Sequence, residues 1–170
     1  MSSKKLPLWL LKDPAQAQLL RRVAEPIELH QVTTAAFQDL IERMVVTMHQ
    51  ANGIGLAAPQ IGRSIRLAVI APEVDPQLRE PLVLINPVIE NLSGEQETYE
   101  EGCLSVPKVF GSVARSLRLT LKSINRRGQP CQLRASDLLA RVIQHEVDHL
   151  NGRLFLDRAA AITSGQNYLP

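Results

Sequence analysis

Ser136-Asp137-Leu138-Leu139-Ala140-Arg141-Val142-Ile143-Gln144-His145-Glu146-Val147-Asp148-His149-Leu150 is the stretch on which the fold turns. Leu138, Val142, His145 and His149 follow one another at helical spacing, which predicts one long helix over residues 136–150. Both histidines then share the face that Leu138 and Val142 are expected to send into the core. Ser136 or Asp137 is expected to cap the helix N-terminus and Gly152 to close its C-terminus. Histidines one helical turn apart can aim at one cation while the intervening Glu146 reaches a water beside it, so a core helix carrying HExxH predicts a metal centre.

Moving outward, Phe37, Leu40, Ile41, Met44, Val45 and Met48 mark a second amphipathic helix over residues 34–50, ended by Asn52-Gly53. Val, Ile and Leu dominate residues 66–70, 82–86 and 117–124, which read as strands. The turn Asn125-Arg126-Arg127-Gly128 leads into a partner strand over 129–134, completing a hairpin. Prolines 72, 76, 81 and 87 make the connections irregular. No repeat or linker divides the chain, so residues 1–170 are expected to form a single domain. The segment after about residue 158 carries no pattern that demands order.

With 170 residues, 45% of them hydrophobic, one sizeable core is available without disulfide staples. Aromatic content of 4% and a net charge of +2 supply neither the stacking surface nor the basic excess of a nucleic-acid binder. No apolar run approaches the roughly 20 residues of a membrane-spanning helix. Lys4 and Lys5 precede a short stretch, residues 6–11, that contains a proline and runs into Lys12-Asp13, so it reads as mature protein rather than an export signal.

A catalytic site of this type usually takes a third protein ligand. The metzincin position for it, six residues after His149, is Phe155, and the thermolysin-like solution needs a later glutamate, of which there is none after Glu146. His30, His49, Cys103, Cys131 and Asp157 remain as donors. His49 reads as a boundary residue, Asp157 leaves the helix awkwardly for a return to it, and Cys131 reads as a structural strand cysteine. Cys103 sits in Glu101-Gly102-Cys103-Leu104-Ser105-Val106-Pro107, where a glycine before the thiol and a proline soon after it leave backbone donors exposed. In Gly53-Ile54-Gly55-Leu56-Ala57-Ala58-Pro59-Gln60, the glycines suit close backbone approach to a ligand and Gln60 offers an amide.

Taken together, residues 53–60, residues 101–105 and Gln144-His145-Glu146-Val147-Asp148-His149 closely resemble the three ordered signature motifs of the peptide deformylase family. Residues 11–27, Leu82-Val83-Leu84-Ile85-Asn86-Pro87 and Val113-Ala114-Arg115 resemble further family segments, so the likeness spans about nine tenths of the chain. The resemblance implies an α+β fold, with antiparallel β-sheets packed around a central helix carrying HExxH. It implies hydrolysis of the N-formyl group from the initiator methionine of newly synthesised polypeptides, with release of formate. Cys103, His145 and His149 would hold the metal, and Glu146 would act as general acid/base. The Gln60 amide and the Leu104 backbone N–H would hold the developing oxyanion. The Gly55 backbone would pair with an extended peptide, and Ile54, Leu138, Val142 and His145 would line a methionine pocket.

The implied cofactor is one Fe²⁺, with Ni²⁺, Co²⁺ or Zn²⁺ as other ions the donors accept. The implied partners are N-formylmethionyl nascent peptides near the ribosome, met by a cytoplasmic monomer with no nucleic acid or membrane of its own to bind. Three departures from the family pattern bear on the pocket: Tyr99 and Arg141 replace aliphatic residues, and Phe110 replaces a basic or polar one. They motivate a second reading as a hydrolase of other N-acyl groups. A third reading, a non-enzymatic metal platform, has no use for Glu146. Residues 158–170 carry no pattern for the long basic C-terminal helix that some bacterial members use at the ribosome, so direct docking there is not expected.

Overall fold

A computed structural model describes residues 4–165. Three helices lead the chain, α1 (Pro14–Leu20), α2 (Leu29–Val32) and α3 (Ala35–Gln50). Strands β1 (Gly55–Ala57), β2 (Leu67–Ile70), β3 (Leu82–Leu92), β4 (Gln96–Cys103), β5 (Val106–Ser116), β6 (Arg118–Ile124) and β7 (Pro130–Ser136) follow. The last helix, α4 (Asp137–Leu150), and an edge strand, β8 (Ala161–Ser164), complete the described chain. Two antiparallel sheets result, one of five strands in the order β1-β2-β3-β6-β7 and one of three in the order β4-β5-β8.

The amphipathic pattern of α3 is realised as read. Thr34 caps it by accepting the Phe37 N–H at 3.3 Å, Phe37, Ile41, Met44 and Met48 are buried, and Asn52 takes a left-handed φ of 54° just beyond its end. Their side chains join Leu56, the β2 residues 67–70 and Ile143 of α4 in the main core. A smaller apolar cluster of Leu11, Val106, Val109, Val113, Leu154 and Phe155 packs on the three-stranded sheet.

Helix α4 lies between the two sheets and is buried almost all round. Its polar residues Arg141, Gln144, Glu146, Asp148 and His149 are consequently inside the protein along with its apolar ones. Leu138 departs from expectation: it is 47% exposed and lines a cavity, while Leu139 and Ala140 of the same turn are buried. The cap also differs. Neither Ser136 nor Asp137 makes a side-chain cap bond; instead Asp137 adopts φ 52° and its backbone N–H donates to Leu117 O at 2.8 Å. Gly152 does end the helix, at φ +70°, and a Cβ there would stand 2.3 Å from Arg21 O.

Strand β3 continues through Asn86-Pro87 rather than stopping there. Pro87 cannot donate to the ladder, and the β3–β6 register shifts between Ile85 and Val88 to accommodate it. Asn86, at φ 49°, ties this irregularity to Ile27 through both its amide nitrogen and its amide oxygen. Beyond Asp157, residues 161–164 pair with β5 as an edge strand, so order extends further along the chain than its composition suggests. Residues 166–170 lie outside the described residues.

Candidate active site

The three groups that the motifs nominate meet where the two sheets approach α4. Strand β1 lies at one edge of the five-stranded sheet, and the turn after it carries Gln60. Cys103 ends β4, and the chain reverses at once into β5. His145 and His149 project from successive turns of α4. Ligand atoms of Cys103, His145 and His149 lie within 4.8 Å of one another, with Cys103 Sγ 3.3 Å from His149 Nε2. His30 and His49 are exposed and stand outside this cluster. Cys131 on β7 donates its S–H to Ser123 O, and Asp157 is occupied by Arg21 and by the Leu154 N–H.

His145 is oriented by a neighbour, whereas His149 Nδ1 is buried with no hydrogen-bond partner. His145 Nδ1 is 3.0 Å from Glu101 Oε2, which leaves Nε2 to face the cluster. Arg115 grips Glu101 with two bonds of 2.9 Å, Arg141 adds a third of 2.8 Å, and Arg115 also reaches Asp148. Burial works against the Glu101 charge, but hydrogen bonds from Arg115 and His145 outweigh it and hold the carboxyl well below the usual carboxylate range. These buried partners carry the site's second layer of order, and the sequence reading assigned no role to Glu101 or Asp148. Their signal was present as an acidic residue two before Cys103 and another directly before His149.

Burial holds His149 far below the ordinary imidazole range, so it is neutral and able to ligate. His145 behaves oppositely. Burial would lower it, yet its hydrogen bonds to Cys103 and Glu101 push it up to about 10, so a cation binding there displaces a proton. Two imidazoles and a thiol offered together, with the Cys103 sulfur also approached by Gln60 Nε2 and the Ser105 N–H at 3.4 Å each, fit one borderline-soft divalent cation.

Glu146 lies beside this donor set. Its Oε2 is buried and has no hydrogen-bond partner, and burial pushes the carboxyl up to about 7. A buried carboxylate left unsatisfied is costly unless a reactant completes it. Gln60 is fixed in orientation: its Oε1 accepts the Ala57 N–H at 2.9 Å, which turns the Nε2 toward Cys103 and Ser105. A cavity of about 770 Å³ opens in front of these groups, walled by Ile54, Gly55, Leu104, Phe110, Leu138 and Val142. Tyr99 is 55% exposed and lies outside that wall, with its ring against the Arg141 guanidinium.

A helix-borne histidine pair that meets a thiol from an adjoining sheet, beside a buried glutamate whose Oε2 has no partner, is an arrangement suited to metal-dependent hydrolysis. The sequence matches the polypeptide deformylase family over residues 7–164, and the chain belongs to that family. It is 43% identical to the peptide deformylase of Bartonella henselae over 156 residues, 92% of this chain and 85% of that protein. The crystal structure of a peptide deformylase from Synechococcus elongatus in complex with actinonin superposes with a TM-score of 0.83 at 42% identity, covering 94% of this chain and 83% of that one. A Met-Ala-Ser-bound class I type b peptide deformylase from Acinetobacter baumannii gives a TM-score of 0.83 at 34% identity, covering 92% and 99%. The chain is accordingly a metal-dependent hydrolase that removes the N-formyl group from nascent polypeptides.

The close approach of β1 to Glu146 makes one residue testable at once. A Cβ at Gly55 would stand 2.2 Å from Glu146 Oε1 and 3.1 Å from Val142 Cγ1, so Gly55→Ala must displace the buried carboxylate. The expected result is a loss of about 100-fold in kcat with metal content unchanged, as for other small misplacements of reacting groups. Formate release measured at equal metal loading checks it.

Proposed function

We propose that Cys103, His145 and His149 hold one Fe²⁺, that Glu146 is the general acid/base, and that Gln60 and the Leu104 backbone N–H stabilise the oxyanion. The observation that carries this reading is the convergence of the three donors beside a glutamate whose Oε2 has no partner. A divalent cation bound there supplies Lewis acidity toward the formyl oxygen and makes a neighbouring water acidic enough to react near neutral pH. Glu146 then accepts the proton of the attacking water as the new C–O bond forms. The Gln60 Nε2 and the Leu104 N–H donate to the oxygen that gains charge. Glu146 returns its proton to the amine as the C–N bond breaks, and formate and a free N-terminus result.

Nickel, cobalt and zinc satisfy the same donors, and zinc outranks ferrous iron on affinity alone. The assignment of iron rests on the family resemblance. The peptide is proposed to lie along the open edge of β1, where Gly55 offers main-chain groups, in the manner of an added strand. Its first side chain enters the pocket formed by Ile54, Leu138, Val142 and His145. The binding of Met-Ala-Ser by a relative of the same fold supports this placement. We infer that the enzyme meets these peptides near the ribosome as a cytoplasmic monomer. Among the described residues no helix is long and apolar enough to cross a membrane.

Comparison of formyl-methionyl, formyl-glycyl and acetyl-methionyl tripeptides tests the reading. Emptying the pocket with glycine should cost about 1.5 to 3 kcal/mol, roughly tenfold to a hundredfold in kcat/KM. Acetyl-methionine should fare worse, since its extra methyl must press into the wall made by Gln60 and Leu104. Acetyl hydrolysed as fast as formyl would favour the broader N-acyl hydrolase, and indifference to methionine would remove the pocket assignment.

A further inference from the structure

Arg141 sits one helical turn before His145, and its guanidinium leaves α4 altogether. Nη1 donates to Glu101 Oε1 at 2.8 Å and to Val113 O at 3.0 Å, and Nη2 donates to Glu97 O at 2.6 Å. Glu97 and Glu101 lie on β4 and Val113 on β5, while the Tyr99 ring, also on β4, has its centroid 5.2 Å from the guanidinium carbon. The residue is 9% exposed. A planar fork with three acceptors and an aromatic face is already committed, and it has little left with which to meet a substrate side chain.

The positions of those acceptors matter because the proposed donor set is divided. His145 and His149 belong to the helix, whereas Cys103 is the last residue of β4, so the distance between sulfur and imidazoles depends on how α4 is seated against the three-stranded sheet. Arg141 spans that seam beside further ties across it, among them Arg115 to Asp148 and Gln144 to Ser116. It also holds the carboxylate that faces His145 Nδ1. We infer that Arg141 is a positioning residue for the metal centre, a cross-link that sets the helix-to-strand spacing of the donors and locks Glu101 against His145. The inference rests on the ligand assignment above. Arg141 also borders the cavity, but its guanidinium is committed to β4 and β5, so the arginine at this position serves the cation more than the methionine pocket.

The test uses the full chain loaded with Co²⁺, comparing wild type with Arg141→Leu and Arg141→Lys. Three readouts are taken: the thiolate-to-cobalt absorption band, the rate of metal release to a chelator, and the formyl-methionyl to formyl-glycyl ratio of kcat/KM. Arg141→Leu is expected to alter the band and to release metal about tenfold to a hundredfold faster, the usual effect of removing a partner of a metal ligand. Its methionine-to-glycine ratio should not change. Arg141→Lys, which keeps the charge but not the fork, should lie between the two, and it carries the test if the leucine variant does not fold. An unchanged band and release rate overturn the inference, as does a change confined to the methionine-to-glycine ratio. Absence of the thiolate band in the wild type overturns the ligand assignment itself.

Discussion

Cys103→Ala is expected to remain folded and to lose bound metal and activity together. In the proposed centre the sulfur is one of three protein donors, and it is the one that would bring a negative charge to the cation. It sits at the end of β4, in a turn whose Ser105 N–H and Gln60 amide both aim at it. Removing it should weaken metal binding by on the order of 1,000-fold or more, a sizeable share of the free energy with which a full ligand set holds a divalent ion. His145→Ala and His149→Ala should behave alike, since each removes one donor from the same cluster. Elemental analysis after gel filtration, paired with a thermal melt to show that the chain is folded, checks all three. Cys131→Ser, on β7, should keep both metal and activity because its thiol only donates to Ser123 O.

Glu146→Gln is expected to separate what Cys103→Ala removes together. Glutamine keeps the shape of the side chain where β1 passes closest to it, but it cannot take up a proton. Metal content should therefore be that of the wild type while kcat falls about a hundredfold or more. The environment explains why this residue is suited to the task. Burial, opposed by the charges of His145 and Arg115, leaves the carboxyl raised to about 7, where it can take up and give back a proton near neutral pH. No other carboxylate faces the cluster without a partner, since Glu101 is held by Arg115 and Arg141 and Asp148 by Arg115 and Arg158. Near-normal turnover in the metal-loaded glutamine variant would require a base that the described residues do not offer.

Much of this site was legible because its chemistry rides on local patterns. His145 and His149 are a helical turn apart, Cys103 follows a glycine, and Gln60 closes a glycine-rich segment, so each could be singled out before any contact was known. The regular parts of the core were equally readable: the stripe of α3, the apolar run of β2, the alternation of β6 and the Asn125–Gly128 hairpin all follow periodicity or turn chemistry. Strand β4 was not readable, because Gln-Glu-Thr-Tyr-Glu-Glu has no alternation of apolar and polar residues; its partners are a strand and a set of buried arginines. Leu138 illustrates the converse. Its spacing on α4 matches that of Val142, yet it borders an open cavity rather than packed core. The network of Glu101, Arg115, Arg141 and Asp148 joins four positions scattered over 48 residues, and pairing across elements leaves no periodic trace in a single sequence.

Formate release as a function of bound iron tests the central claim most directly. The protein is stripped with a chelator, reloaded with Fe²⁺ under anaerobic conditions, and assayed on a formyl-methionyl tripeptide while the metal content of each sample is measured. Activity should be absent in the stripped chain, return in proportion to iron, and level off at one ion per chain. Formate release that persists in the metal-free protein, or that continues to rise well beyond one ion per chain, would contradict a single centre at Cys103, His145 and His149.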